Sequence, residues 1–332
     1  MRFSAQTPRS SLLLLLASPL TIILALSTPT TIFTLPGPLL PGSWFENLAV
    51  RPNGKILATR GDAPEIWQID PSTGHGALLV SVTGAFNLTG IAEVTPHRRP
   101  QTRTQPSPET YVFGSSHIPA PLQVTPGSAK VWTLQFHSNP TTPPTVSLLA
   151  AMPAAGFING ITPWGRGRVL LSDTTAEAVY LMDAATGAYT TPLTGLTGVN
   201  GIRAARGWVY RADHASLTLS RIPVGRDAVA TGPAQVLATG QLIDDFAVVV
   251  GPSGAGKAYV AGMYDDDVVE VAFGAAGGLG VKRVVVADLS GTGYGLCTVV
   301  AFGRRAADKG LLYATVGQGG GNAAIVKLDP AA

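Results

Sequence analysis

Phe157-Ile158-Asn159-Gly160-Ile161 and Gly198-Val199-Asn200-Gly201-Ile202 are two copies of one phrase, 41 residues apart. Each leads into a β-rich run (Arg168–Ser172, Trp208–Arg211), a short turn and a second β-rich run (Ala178–Met182, Thr218–Ile222). Runs of this kind between turn-formers predict strands. Their period matches the roughly 40–45 residues of a four-stranded propeller blade. A ring of such blades brings the equivalent positions of all of them together on one axis.

Weaker copies complete the ring. Glu46-Asn47-Leu48-Ala49-Val50 opens a block, as do Leu88-Thr89-Gly90-Ile91-Ala92, Asp244-Asp245-Phe246-Ala247 and Tyr294-Gly295-Leu296. With the two phrases above they make six. Third strands share an ending, seen in Trp67-Gln68-Ile69-Asp70, Tyr180-Leu181-Met182-Asp183 and Val326-Lys327-Leu328-Asp329, where the Asp starts the next turn. The expected fold is all-β: a six-bladed propeller of four-stranded blades over residues 44–332, its ring closed by an N-terminal strand. That strand is sought in the linker of residues 29–43, where Thr31–Leu35 alternates weakly. Pairing of N- and C-terminal strands leaves no frayed terminal blade.

Composition agrees. The 332 residues include 39 Gly and 26 Pro with 13% charged residues, which favours short strands and tight turns in a single all-β domain. Residues 1–28 read as a signal peptide: Arg2 and Arg9 precede the apolar run Leu12–Leu26, and Ala25-Leu26-Ser27 supplies the small-x-small cleavage pattern. The competing reading is an uncleaved anchor, but Ser18-Pro19 leaves the run short of about 20 clean residues. The expected location is therefore the secretory pathway or the medium, with no stable membrane insertion after cleavage. Cleavage removes Arg2 and Arg9 from a net charge of +3, which argues against a nucleic-acid partner. Cys297 stands alone, so no internal disulfide forms. Asn87-Leu88-Thr89 matches a glycosylation sequon but begins an expected inner strand, where a glycan fits poorly. Pro96–Glu109 reads as a surface insertion in the second blade.

Gly251-Pro252-Ser253-Gly254-Ala255-Gly256-Lys257 has the spacing of a phosphate-binding loop, yet Ala258 stands where the Mg²⁺-binding hydroxyl belongs, and strand follows instead of helix. It is expected to be a hairpin turn. Neither a GxSxG elbow nor an HExxH motif is present. Asp265-Asp266-Asp267 reads as a solvated acidic turn without EF-hand spacing.

The six-block plan resembles the SMP-30/gluconolactonase-like six-bladed propellers. The leader, Glu46–Arg51, the Asn-Gly-Ile phrases and Asp245-Phe246-Ala247 are similar to its fungal secreted branch. In the lactonases of that family the resemblance implies an axial Ca²⁺ or Mg²⁺ held by Glu46, Asn200 and Asp245, with Asn159 helping to bind substrate. The cation would polarise a lactone carbonyl and the aspartate would activate water. Fungal members with a similar leader and blade phrases are pericyclases that join a tropolone-type o-quinone methide to a humulene-type sesquiterpene by an intermolecular hetero-Diels–Alder reaction. That chemistry needs no cofactor; it needs proximity, orientation and a donor to the quinone methide oxygen.

In a propeller the starts of inner strands and the ends of second strands open on one face. The first set contains Trp44, Glu46, Phe86, Phe157, Asn159, Asn200, Asp245 and Tyr294. The second contains Arg60, His117, Asp173, Asp213, His214, Tyr264 and Gln318. Aromatics with a few convergent polar groups suit a small-molecule pocket. Arg60 and Tyr264 are the expected donors, with Asp245 as the third catalytic group and Trp44, Phe86, Phe157, Asn159, Asn200 and Tyr294 as substrate contacts. Blander readings stand beside these. Asn before Gly also serves turns, Asp244 reads as a solvated neighbour of Asp245, the His residues suit ordinary turns, and the aromatics suit core between blades.

Three functions follow in order: a hetero-Diels–Alderase of specialised metabolism, a cation-dependent lactonase or esterase, and a non-catalytic binding propeller. The expected partners are apolar small molecules, and the expected state is a monomer or weak dimer.

Overall fold

The computed structural model describes residues 26–37, 43–94, 109–119, 123–263, 265–289, 295–317 and 322–331. Among these every regular element is a strand, and the strands form six four-stranded antiparallel sheets. The first blade runs Phe45–Val50, Ile56–Arg60, Glu65–Asp70 and His75–Ser81, and the four blades that follow repeat this plan. The sixth contributes Val300–Phe302, Leu312–Val316 and Ala324–Leu328, and its outer strand is Thr30–Thr34 from the chain start. Thr30 pairs with Lys327 and Thr34 with Ala324, so the ring closes through the N-terminal strand as expected. No described helix is long and apolar enough to cross a membrane.

Burial explains the layering. Second strands such as Ile56–Arg60 are buried throughout, because they lie between two strands of their own blade and between two neighbouring blades. Outer strands such as His75–Ser81 are exposed or half-exposed along their length. The apolar clusters lie between blades: Tyr210 and Leu219 of the fourth pack with Phe246, Val260 and Phe273 of the fifth. Phe33, Phe45, Ile56, Tyr313 and Ile325 join the sixth blade to the first. Full burial of one such side chain contributes about 1.5–3 kcal/mol. No blade can bury its faces alone, so the ring folds as a unit.

Polar bonds stitch each joint of the ring. Thr59 Oγ1 donates to the Thr89 carbonyl (2.7 Å), Ser116 Oγ to that of Gly156 (3.1 Å) and Ser172 Oγ to that of Asn200 (2.5 Å). Arg203 pairs with Asp245 at 2.9 Å, the Asp245 amide donates to the Thr298 carbonyl at 2.9 Å, and Thr298 Oγ1 donates to the Phe45 carbonyl.

Turn chemistry follows the sequence closely. Asp183 Oδ1 accepts from the amides of Ala185 and Thr186, and Gly187 has φ 73°. Asp70 Oδ1 likewise accepts from the Ser72 amide. The phosphate-loop spacing at 251–257 is a hairpin turn, closed by the Gly251 amide on the Ala255 carbonyl at 2.8 Å. The acidic run differs from its expected solvated state. Asp266 is buried, and burial with the nearby Asp265 charge lifts the Asp267 carboxyl to about 6. The expected surface insertion Pro96–Glu109 lies, save for Glu109, outside the described residues.

Candidate functional site on the propeller axis

Each of the first five inner strands carries one extra residue near its start. Pairing in the first blade jumps from Phe45↔Arg60 to Asn47↔Thr59, in the third from Ile158↔Asp173 to Ile161↔Leu171, and in the fifth from Ile243↔Gly262 to Phe246↔Val260. Such bulges re-aim a side chain and bend the strand. In the second, third and fourth blades the second bulge residue is a glycine that faces the next blade. A Cβ on Gly90 would lie 2.2 Å from the Asn159 carbonyl oxygen, and one on Gly201 would lie 2.3 Å from Asp245 Oδ1. The first bulge positions are Glu46, Thr89, Asn159, Asn200 and Asp244. Of these Glu46, Asn200 and Asp244 interact with one another at the axis, while Thr89 Oγ1 lies against Gly114 of its own blade. Cys297 and Thr298 occupy the matching stretch of the irregular sixth blade.

The two Asn-Gly phrases are therefore not turns. Asn159 and Asn200 are buried within strands, and Gly160 and Gly201 serve close approach of the next blade; neither has a left-handed φ.

Two carboxyls share the ring. Burial lifts the Glu46 carboxyl to about 7, against the Trp44 indole, which donates to Glu46 Oε2 at 2.6 Å; the Asp245 charge adds to the rise. Burial lifts Asp244 well above the usual carboxylate range, the Glu46 charge adds to this, and a side-chain bond with Asn200 opposes it. Asn200 Oδ1 and Asp244 Oδ2 are buried without a hydrogen-bond partner.

The register brings both aspartates to the hub. Asp244, expected as a solvated neighbour, is 3% exposed and lies beside Glu46 and Asn200. Asp245, expected at the axis, is buried there with its carboxylate fully bonded to neighbouring blades. Its Oδ1 takes the Phe246 amide (2.7 Å) and Arg203 Nη1 (2.9 Å), and its Oδ2 takes Asn47 Nδ2 (2.9 Å). Asn47, passed over in the sequence, is thus part of the hub.

Arg60, an expected donor, has its guanidinium committed. It binds Asp62 through Nε (3.0 Å) and Nη2, Glu65 through Nη1 (2.7 Å), and Ser43 through Nη2. Acids two and five residues along were the signal for this in the sequence. Tyr264, Tyr294 and Gln318 lie outside the described residues. Trp44 is half-buried, its ring against Gly61 and its indole on Glu46. Phe157 is half-buried beside the ring, and Phe86 is exposed with its ring 4.2 Å from that of His117.

Other members of the second set cap turns. Asp173 accepts from the amides of Gly156, Phe157, Thr175 and Ala176, and Asp213 from those of Ala215 and Ser216. His117 Nδ1 meets Thr125 Oγ1 at 2.7 Å, and the His214 amide donates to the Gly198 carbonyl. At the sequon, Asn87 Nδ2 donates to the Gly61 carbonyl and its Oδ1 accepts from the Ile118 amide, so each end of the side chain makes a hydrogen bond.

A cleft of about 430 Å³ opens at the opposite ends of the strands, lined by Lys257, Tyr259, Arg283, Phe302 and Pro330. Its cations are both held by Glu270, at 3.0 and 3.1 Å. The axial ring is the stronger candidate.

Among the described residues no group of three or more His, Cys, Asp or Glu could hold a metal ion. The axial donors are instead two carboxyls and an amide. The unpartnered oxygens of Asn200 and Asp244, with the Glu46 carboxyl, are hard donors of the kind Ca²⁺ or Mg²⁺ takes, so the residues fit such an ion.

No family model matches the sequence. The chain is 27% identical over 322 residues to a Phoma sp. protein named "Putative hetero-Diels-Alderase", covering 82% of this chain and 83% of that one. Among solved structures it is similar to the calcium-binding protein regucalcin from Agrobacterium tumefaciens (TM-score 0.61, 15% identity, covering 92% of this chain and 97% of that one). It is also similar to a luciferin-regenerating enzyme (0.60, 11%, 88% and 95%) and to a PQQ-bound aldose sugar dehydrogenase from Streptomyces coelicolor (0.59, 14%, 91% and 98%). At these identities the structural likeness shows the propeller fold alone.

Proposed function

We propose that the chain is a pericyclase that joins an o-quinone methide of tropolone type to a humulene-type sesquiterpene over the axial ring, by a hetero-Diels–Alder reaction. The observation that carries this reading is the Glu46 carboxyl, set on the axis by a bulge, oriented by the Trp44 indole, and lifted to about 7 by burial. Near neutral pH such a group carries its proton for much of the time. It can donate to the carbonyl oxygen of a heterodiene, where negative charge grows in the transition state. Likeness to the Phoma sp. protein over four-fifths of the chain supports the same reaction.

The reaction needs no proton or electron from outside. The alkene π bond and the two heterodiene π bonds are consumed; four of their six electrons become one C–C and one C–O bond, and the other two become the new π bond of the product. The protein's work is to hold two apolar partners face to face and to polarise one oxygen. Trp44 and Phe157 supply aromatic surface beside the ring. The leader-like pattern of residues 1–28 supports a location in the secretory pathway or the medium.

A second reading is a lactonase or esterase that depends on Ca²⁺ or Mg²⁺. It is favoured by the unpartnered oxygens of Asn200 and Asp244. Glu46, Asn200 and Asp244, in place of Asp245, would hold the ion, and a bound ion would supply polarisation of a lactone carbonyl. Asn159 stands beside them to orient substrate.

Purified protein, a quinone methide precursor and humulene, with and without EDTA, separate the readings. A protein-dependent rise in adduct with one stereoisomer, unaffected by EDTA, is expected. Glu46→Leu should lower that rate about 10²-fold. Adduct at the same rate and isomer ratio without protein overturns the proposal. Lactone hydrolysis abolished by EDTA would establish the second reading, and ligand retained without turnover would leave a binding propeller.

A further inference from the structure

The residue after each axial carboxyl is unusual. In the second, third and fourth blades this second bulge position is Gly90, Gly160 and Gly201, where a Cβ would fall 2.2–2.7 Å from the next blade. The first and fifth blades carry side chains there, Asn47 and Asp245, and these meet one another at 2.9 Å. Both are almost fully buried, at 3% and 1% exposure. Their other atoms are fixed as well: Asn47 Oδ1 accepts the Leu48 amide at 3.0 Å, and Asp245 Oδ1 is filled by Arg203 and the Phe246 amide.

The bond skips a blade. Between the fifth and first lies the sixth, whose inner strand is only Val300–Phe302, preceded by an isolated Leu296–Gly317 bridge. This is the least regular sector of the hub, and the two axial carboxyls, Glu46 and Asp244, stand on either side of it. Each is the immediate neighbour of one partner in the bond. Consecutive Cα atoms are about 3.8 Å apart and rigidly linked through planar peptides. A bond between residues 47 and 245 therefore limits how far residues 46 and 244 can separate.

We propose that Asn47 and Asp245 are positioning residues whose cross-hub bond sets the spacing of Glu46 and Asp244. Arg203 holds Asp245 in place, and the pair substitutes for regular strand contacts that the sixth blade lacks. The inference rests on the reading of Glu46 as the donor to substrate. A shift of about 1 Å in such a group can cost on the order of 10²-fold in rate.

Three variants test it by adduct kinetics and thermal melting: Asn47→Ala, the exchange Asn47→Asp with Asp245→Asn, and Ser116→Ala, which removes a buried bond between the second and third blades. Asn47→Ala should lower kcat by about tenfold or more, with KM moved less than about threefold. The exchange rebuilds the bond with donor and acceptor reversed and should restore most of kcat. Ser116→Ala should lower Tm and leave kcat alone. Equal kcat in Asn47→Ala and Ser116→Ala, or an exchange variant no better than Asn47→Ala, overturns the proposal. If Asn47→Ala does not fold, the exchange decides: near wild-type kcat supports the bond, and loss refutes it. If the wild-type protein forms no adduct, the proposed reaction has failed but the spacing is still readable. A crystal structure of Asn47→Ala should show the two carboxyls shifted by about 1 Å or more, and unchanged spacing refutes the bond's role.

Discussion

Thr298 Oγ1, in the last blade, lies 2.8 Å from the carbonyl oxygen of Phe45 in the first, and also meets Thr315 Oγ1 at 2.7 Å. One buried hydroxyl thus closes the ring at its core, while the N-terminal strand closes it at the rim. Thr298→Val keeps the shape and removes the hydroxyl, leaving the Phe45 carbonyl unpaired. The expected loss is about 1–3 kcal/mol, read as a lower urea midpoint with an unchanged slope.

The ring acids predict how pH acts. The fold raises Glu46 from its ordinary 4.5 to about 7 and raises Asp244, Asp245 and Asp267 as well. The folded state then binds more protons than the unfolded chain between these limits, so stability falls as pH rises from about 4.5 to 7. Urea midpoints should be higher at pH 5 than at pH 7.5. The adduct rate should also decline above pH 7 as Glu46 loses its proton, toward tenfold per pH unit. Glu46→Gln cannot titrate and should flatten that profile.

Gly201 offers a test of close packing without altering any polar group. A methyl there meets Asp245 Oδ1 at 2.3 Å and its Cα at 2.7 Å. Gly201→Ala should destabilise by about 1–3 kcal/mol through overpacking. Gly274→Ala, with nothing within 4 Å of the new methyl, should be close to neutral in the same melting experiment.

Ser27 bears on processing. It is 4% exposed, its amide donates to the Val285 carbonyl at 2.8 Å, and its hydroxyl accepts from the Asp329 amide at 3.1 Å. Cleavage at the expected boundary of residue 28 would remove both bonds. A chain beginning at Leu26 should be more stable than one beginning at Pro29 by about 1–3 kcal/mol. Urea unfolding of the two purified chains measures the difference.

The blades were legible because the same local problem recurs in each. In the second to fourth blades the close approach of the next blade leaves no room for a Cβ, which puts Gly after Asn159 and Asn200, and three third strands lead into an Asp that binds amides of the turn. Which aspartate keeps an unbonded oxygen was not legible. Asp244 and Asp245 are chemically identical neighbours at a bulge, and only their partners, Asn200 for one and Arg203 with Asn47 for the other, tell them apart. Arg60 looked free because its partners Asp62 and Glu65 belong to the turn and the next strand. Asn47 was hidden because its partner lies 198 residues away. The irregular sixth blade offered only the short opening phrase Tyr294-Gly295-Leu296 to align.

The hub is built from repeated strands, yet the groups at its bulges are all but unrepeated: a carboxyl with a four-atom reach at residue 46, amides at 159 and 200, and a shorter acid at 244. Turning the frame by one blade never superimposes this pattern on itself, nor does any reflection. A flat molecule with identical top and bottom faces loses that equivalence on landing here, because each way of lying down meets different neighbours. Handedness in whatever is made at the hub is thus written into the order of the blades.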